Sequence, residues 1–266
     1  MSKELKIVIL GAGNVGFHLG KKLHDVGLKI IQVYSRKISK AKRLGKIIKC
    51  QSIQNLDDIS MDGNLYILAV PDSAIEKVAA DLSKKIPNTK LVVHTSGATP
   101  STVLKPYFKT YGIFYPLQTF SFAREVYFDN IPICIDSNLK KHRTLLEKLG
   151  KCLSQNVHQI NDRERAILHV AAVFVNNFSN NLFTIGEKIT STENLPFDIL
   201  KPLIKETVEK ITQHSPSQMQ TGPAKRGDDI TIELHLKYLE NNFPEFIEVY
   251  QTMTQNINSN FSKKTS

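Results

Sequence analysis

Tryptophan is absent from this 266-residue chain, and cysteine occurs only three times. Without tryptophan, and without runs in which aromatic and basic residues interleave, the chain lacks the stacking platform of single-strand nucleic-acid binders. Cys50, Cys134 and Cys152 are odd in number, far apart and without metal-ligand spacing. They read as reduced thiols of a cytoplasmic protein rather than as a disulfide framework, and no metal site is expected. Long apolar runs are also missing. The longest nearly apolar run, AILHVAAVFV at residues 166 to 175, is too short to cross a bilayer and contains a histidine. The opening MSKELKIVIL has no apolar segment with a cleavage site, so a signal peptide is not expected. The net charge is +10, but the lysines are dispersed (Lys21, Lys22, Lys84, Lys85, Lys140, Lys141). The excess reads as solvated surface, with neither nucleic acid nor membrane expected as a partner.

What is present is an alternation. LKIVIL, LKIIQVY, NLYILAV and KLVVHTS are β-branched, apolar runs that read as buried parallel strands. Helical patterns stand between most of them, and YGIFYPLQTF, IPICID and NVHQI continue the strand series. This order predicts an α/β fold with a doubly wound, Rossmann-type parallel sheet over residues 1–160. No convincing strand follows. A long helix over residues 162–188 and three further helical patterns, punctuated by Pro196, Pro216, Pro223 and Pro244, predict an all-helical domain over residues 161–266.

The first strand runs straight into Gly11, Gly13 and Gly16, spaced G-x-G-x-x-G and followed by a helical pattern. In that context the spacing has a mechanism. Gly11 permits the tight turn, Gly13 lets backbone approach a pyrophosphate, and Gly16 lets the helix lie close to the sheet. Asn14 and Val15 complete the turn where unpaired N–H groups and the helix dipole favour phosphate. The second strand then ends in Ser35-Arg36-Lys37, with no carboxylate to hold the ribose 2′-hydroxyl of NAD. A hydroxyl and two cations suit the 2′-phosphate of NADP(H), which is the expected cofactor.

Six segments occur in order: LGAGNVGFHL, LAVPDSAI, VVHTSGA, YPLQTF, AAVFVNNFSNNL and TGPAKRGD. In these the chain resembles a bacterial family with an N-terminal Rossmann domain and a C-terminal helical domain once of unknown function, related to deazaflavin-dependent NADP oxidoreductases. Its wider relatives are β-hydroxyacid dehydrogenases, pyrroline-carboxylate reductases and ketopantoate reductases. Some close members are described as an alternative type of ketopantoate reductase, which would place the chain in pantothenate synthesis. The resemblance implies that Val70, Pro71 and Asp72 border the cofactor ribose and that His94 and Ser96 reach its nicotinamide end. Asp72 could equally cap a helix, and His94 and Ser96 could equally form a locally satisfied turn around a neutral imidazole.

Reduction of a carbonyl needs an anchored substrate and a proton donor. On a regular helix Asn176 and Asn180 each lie about 20° from His169, so the three would form one polar stripe on an otherwise apolar helix, lining a catalytic cleft or a structural network. The wider family places a lysine one turn before an asparagine here; this chain has Ala172 and Val173. His169 and Tyr115 are the substitute donors. Tyr115 and Gln118 of YPLQTF are candidate substrate contacts. Arg226 could clamp a substrate carboxylate or form a salt bridge with Asp228, which could cap the next helix.

The leading expectation is an NADPH-dependent reductase of a small keto acid, most specifically 2-dehydropantoate, acting as a homodimer. An imine reductase of the pyrroline-carboxylate type and a non-catalytic NADP-binding regulator are the alternatives.

Overall fold

The computed structural model describes residues 5–261. Contacts divide them into two compact units, meeting in sequence at Ala172 and Val173.

The first unit is built on an eight-stranded sheet: β1 (Lys6–Leu10), β2 (Lys29–Tyr34), β3 (Gln51–Ile53), β4 (Leu65–Leu68), β5 (Leu91–His94), β6 (Thr110–Pro116), β7 (Ile133–Ser137) and β8 (Val157–Gln159). Their spatial order is β3-β2-β1-β4-β5-β6-β7-β8. The first six are parallel. Helices α1 (Asn14–Asp25), α2 (Ile38–Ile48), α3 (Asp72–Ser83), α4 (Lys140–Lys151) and α5 (Asp162–Ala172) complete the unit. This is the doubly wound arrangement expected from the alternating patterns. Ile7 and Ile9 of β1 enter one buried cluster and Val8 and Leu10 the other, so both sheet faces are covered.

Two features depart from the sequence pattern. The three-residue β3 has too few residues to show a period and was not foreseen. β7 pairs antiparallel with β6. The connection between them, residues 117–132, contains no helix, so the chain turns back instead of crossing over. The first unit also takes in α5, past the change of character at residue 161, because side chains of α5 bond to residues 99–101.

The second unit opens on a π-helical turn, Val173–Phe178, and continues as α6 (Ser179–Thr192), α7 (Lys201–Gln213), the short α8 (Pro216–Met219) and α9 (Pro223–Arg226), α10 (Asp229–Asn242) and α11 (Ile247–Phe261). No helix among the described residues is long and apolar enough to cross a membrane.

Candidate active site

The chain leaves β1 at Gly11, whose φ of 114° is open to glycine and strained for other residues. A Cβ there would overlap the Ala69 carbonyl oxygen, and one on Gly16 would overlap the Gly11 carbonyl. Gly13 occupies the N-cap position of α1 and faces open space. Backbone is thus drawn in tightly at two glycines and left bare at the third, where N–H groups of the helix start are exposed.

A cleft of about 650 Å³ begins at this loop. It gathers Gly11, Gly13, Ser35, Arg36, Lys37, Val70 and Pro71, which the sequence had nominated. It also gathers Lys40 of α2 and Lys77 of α3, which it had not. Lys40 follows Lys37 by three residues and could have been read as sharing its face. Nothing local marks Lys77; only the neighbouring of β1 and β4 brings it here. Four cations and one carboxylate, Asp81, therefore line the cleft beyond β2. Arg36 acts on the Tyr34 phenol, lowering a pKa that burial raises. Ser35 Oγ accepts from Lys37 N at 3.3 Å, which shapes the loop presenting Arg36 and Lys37.

Asp72 is the first residue of α3, where it makes no capping hydrogen bond; Pro71 holds the N-cap position. Its carboxylate favours the positive end of that helix. Asp72, Asn14, Val15 and Gly16 do not line the cleft.

His94 and Ser96 face inward. His94 is 0% exposed, and its Nδ1 accepts from Ser96 N at 3.2 Å. Burial first, and the Arg165 charge second, push its pKa down to about 4, so it is neutral near pH 7. Ser96 Oγ accepts from Ala98 N at 3.1 Å and Thr99 N at 2.8 Å. These residues shape the turn that carries Gly97 and do not line the cleft; the Ser96 hydroxyl is bonded within the turn, but His94 Nε2 is buried without a hydrogen-bond partner among the described residues.

Over Gly97 two side chains converge. Tyr115, from β6, and His169, from α5, share a 3.2 Å hydrogen bond between the phenol and Nδ1, with ring centroids 6.2 Å apart. A Cβ on Gly97 would lie 2.8 Å from the Tyr115 oxygen and would overlap His169 Nδ1. Burial, with a smaller contribution from Cys134, pushes the Tyr115 pKa up to about 12, so the phenol keeps its proton at neutral pH. The arrangement holds a neutral O–H donor with a histidine behind it. Gln118 turns its carboxamide oxygen onto Thr119 N of its own loop, at 2.8 Å, and is exposed.

In the second unit, Asn176 lies within the π turn and Asn180 at the start of α6, and both are exposed. A π turn closes with i→i+5 bonds, so the even 100° progression that aligned these residues with His169 does not run through the segment. Such turns concentrate at functional sites. Arg226 Nη2 lies 3.7 Å from Asp228 Oδ2, and Asp228 caps α10 through Thr231 N at 3.2 Å. The Arg226 side chain is 64% exposed, so the pair contributes little. His235 Nδ1 shares a 2.8 Å hydrogen bond with the Tyr250 hydroxyl beside a largely apolar cavity of about 490 Å³, which Thr221, Gly222 and Pro223 also border. Tyr250 was not foreseen, because it stands in a helix, α11, that reads only as amphipathic.

A Rossmann-like domain model matches residues 1–118, and a model described as a domain of unknown function (DUF2520) matches residues 131–257. No curated protein matches the chain. Among solved structures, the chain is similar to a "putative NADP oxidoreductase" of Bacteroides fragilis: 34% identity over 97% of this chain and 99% of that one, with a TM-score of 0.91. More distant likenesses, which show the fold alone, are to an imine reductase of Myxococcus stipitatus in complex with NADP+ (15% identity, 96% and 93% coverage, TM-score 0.67) and a pyrroline-5-carboxylate reductase of Coxiella burnetii (16%, 98% and 100%, 0.60).

Proposed function

We propose that this chain, which belongs to the family of the Bacteroides fragilis protein and joins a Rossmann-like domain to a DUF2520 domain, is an NADPH-dependent reductase of a small carboxylate-bearing carbonyl compound, with 2-dehydropantoate the specific candidate. The cofactor assignment is supported by the fit of the cleft. Glycine backbone is bare where a pyrophosphate needs N–H groups, and Arg36, Lys37, Lys40 and Lys77 converge where a 2′-phosphate needs cations. NADPH bound there supplies a hydride. The remaining work falls to side chains.

The observation that carries the reductase reading is the Tyr115–His169 hydrogen bond over Gly97. With His169 Nδ1–H donating to the phenol oxygen, the Tyr115 proton is directed outward and passes to the substrate oxygen as negative charge develops on it. His169 Nδ1–H then returns a proton to the phenolate while Nε2 takes one from solvent, so the imidazole changes tautomer and no imidazolate is left. The absence of a lysine at residues 172 and 173 leaves this pair to do what the lysine does in the wider family. Arg226, exposed and close to Asp228, is the proposed carboxylate clamp, and Asn176 and Asn180 the proposed orienting amides.

Reduction of a C=N bond is the second reading. The fold likeness to imine and pyrroline-carboxylate reductases favours it, and a phenol proton serves a developing amine as well as an alkoxide.

A homodimer in the cytoplasm completes the proposal. Its support is the apolar surface of the helical unit, where Val175 and Ile230 are 76% and 75% exposed and Leu203 and Leu234 each 64%.

The test is loss of nicotinamide absorbance when the purified protein meets NADPH with 2-dehydropantoate, and in parallel with 1-pyrroline-5-carboxylate, using NADH as the comparison. Turnover of the keto acid with NADPH well above NADH is expected. Turnover of the imine alone selects the second reading. Saturable NADPH binding without either turnover overturns both and leaves an NADP-binding regulator.

A further inference from the structure

Arg165 is the largest fully buried side chain of the described residues, at 0% exposure. It stands four residues before His169 in α5, so the two share one helix face. Its Nη1 donates to Asp162 Oδ1 at 2.7 Å, and its Nη2 donates to the Thr99 carbonyl. Asp162 Oδ2 in turn accepts from Ser101 N at 2.8 Å and Ser101 Oγ at 2.9 Å. The segment after Gly97 is therefore laced to the helix that carries His169. On its other side Ser96 Oγ holds the amides of residues 98 and 99.

A buried ion pair is poor value as a source of stability, since a well-packed apolar side chain of similar volume usually serves as well or better. What the guanidinium provides and an apolar group cannot is a fork of directed bonds that sets one distance between two pieces of backbone. That distance governs whether the two rings meet over Gly97, because the clearance there is less than one methyl group.

We propose that Arg165 is a positioning residue for the Tyr115–His169 pair. By bridging Asp162 and the Thr99 carbonyl, it holds the Gly97 segment and α5 at the separation in which the phenol–imidazole hydrogen bond forms. This rests on the reading of that pair as the proton donor. The Arg165 charge also acts on the Tyr115 phenol directly, opposing the effect of its burial.

The experiment uses full-length Arg165→Met, Arg165→Lys and Asp162→Asn, with two independent readouts. The first is steady-state reduction of 2-dehydropantoate or 1-pyrroline-5-carboxylate, alongside NADPH affinity by fluorescence titration. The second is the imidazole 1H–15N correlation of His169, assigned by its loss in His169→Gln, which needs no turnover. A positioning role predicts kcat down roughly thirtyfold or more in Arg165→Met. It also predicts KM within about threefold, NADPH affinity within about twofold and a displaced His169 Nδ1 signal. Arg165→Lys keeps the charge but loses the fork, and should also lose kcat. A folded Arg165→Met with near-normal kcat and an unmoved His169 signal overturns the proposal, as does parallel loss of kcat and NADPH binding. If the wild-type protein turns over neither substrate, the reductase reading fails and the His169 signal alone decides: displaced supports positioning, unmoved overturns it. If Arg165→Met does not fold, Asp162→Asn, which leaves the Thr99 bond in place, carries both readouts.

Discussion

The Tyr115 hydroxyl and His169 Nδ1 lie 3.2 Å apart, although 54 residues separate them in the chain. The bond forms because β6 and α5 deliver the two rings to the same side of Gly97, where the missing side chain leaves room. Substituting Gly97→Ala should force them apart. Overpacking of this kind costs roughly 1–3 kcal/mol. The expected result is a lower Tm, with kcat reduced at least about tenfold while NADPH affinity is nearly unchanged. Thermal unfolding, titration and steady-state kinetics on one preparation check it; normal kcat in Gly97→Ala removes the convergence from the mechanism.

Removing the phenol proton should do more. General-acid groups contribute about 10²- to 10⁴-fold, so Tyr115→Phe is expected to lower kcat within that range while the protein still binds NADPH. Stopped-flow measurement of a single turnover separates loss of chemistry from slow product release. An unchanged single-turnover rate assigns the donor elsewhere.

Acid stability reports on His94. Its folded pKa, about 4, lies below the unfolded value near 6.5. The unfolded chain therefore binds the extra proton first as pH falls. Stability is fully present above pH 6.5 and is lost progressively down to about pH 4, by at most about 3.5 kcal/mol. Urea unfolding at pH 7.5, 5.5 and 4.5 should show a shallower acid decline in His94→Gln than in the wild type. Equal slopes would mean that the imidazole does not titrate differently in the two states.

The cleft proposed for the cofactor predicts a charge-specific effect. One charge-assisted hydrogen bond is worth about 1.5–3 kcal/mol, so Arg36→Ala should weaken NADPH about tenfold to a hundredfold. Lys77→Ala should weaken it in the same direction. NADH, without the 2′-phosphate, should bind each variant as it binds the wild type. Equal losses for both cofactors would place these cations elsewhere on the nucleotide.

The exposed apolar face of the helical unit predicts association. Light scattering at micromolar concentration should return twice the chain mass of 30.0 kDa. Ile230→Asp combined with Leu234→Asp, at positions 75% and 64% exposed, should return a monomer with unchanged helicity. A monomeric wild type removes the dimer from the proposal.

Much of this protein could be read along the chain. The Gly11–Gly16 loop, the cations after β2 and the strand alternation are local features. A positive φ, a bare helix start and a side-chain period each depend on residues within a few positions of one another. What escaped reading depends on distance through space. Lys77 reaches the cleft only because β4 lies beside β1. The polar stripe assumed a regular helix, and hydrophobic periodicity gives no sign of the π turn at residues 173–178. Arg165, in a polar DRER run, reads as a surface residue. It is completely buried with its two Nη groups bonded to Asp162 and the Thr99 carbonyl, while Ser101 holds Asp162 in place and Nε is left without a partner among the described residues. Sequence alone determined the fold class and the glycine loop proposed to take the phosphates of a dinucleotide, because backbone conformation and periodicity are written locally. The tertiary structure decided which side chains meet over Gly97 and which charge is buried to hold them, because those outcomes follow from the packing of segments that sequence order keeps apart.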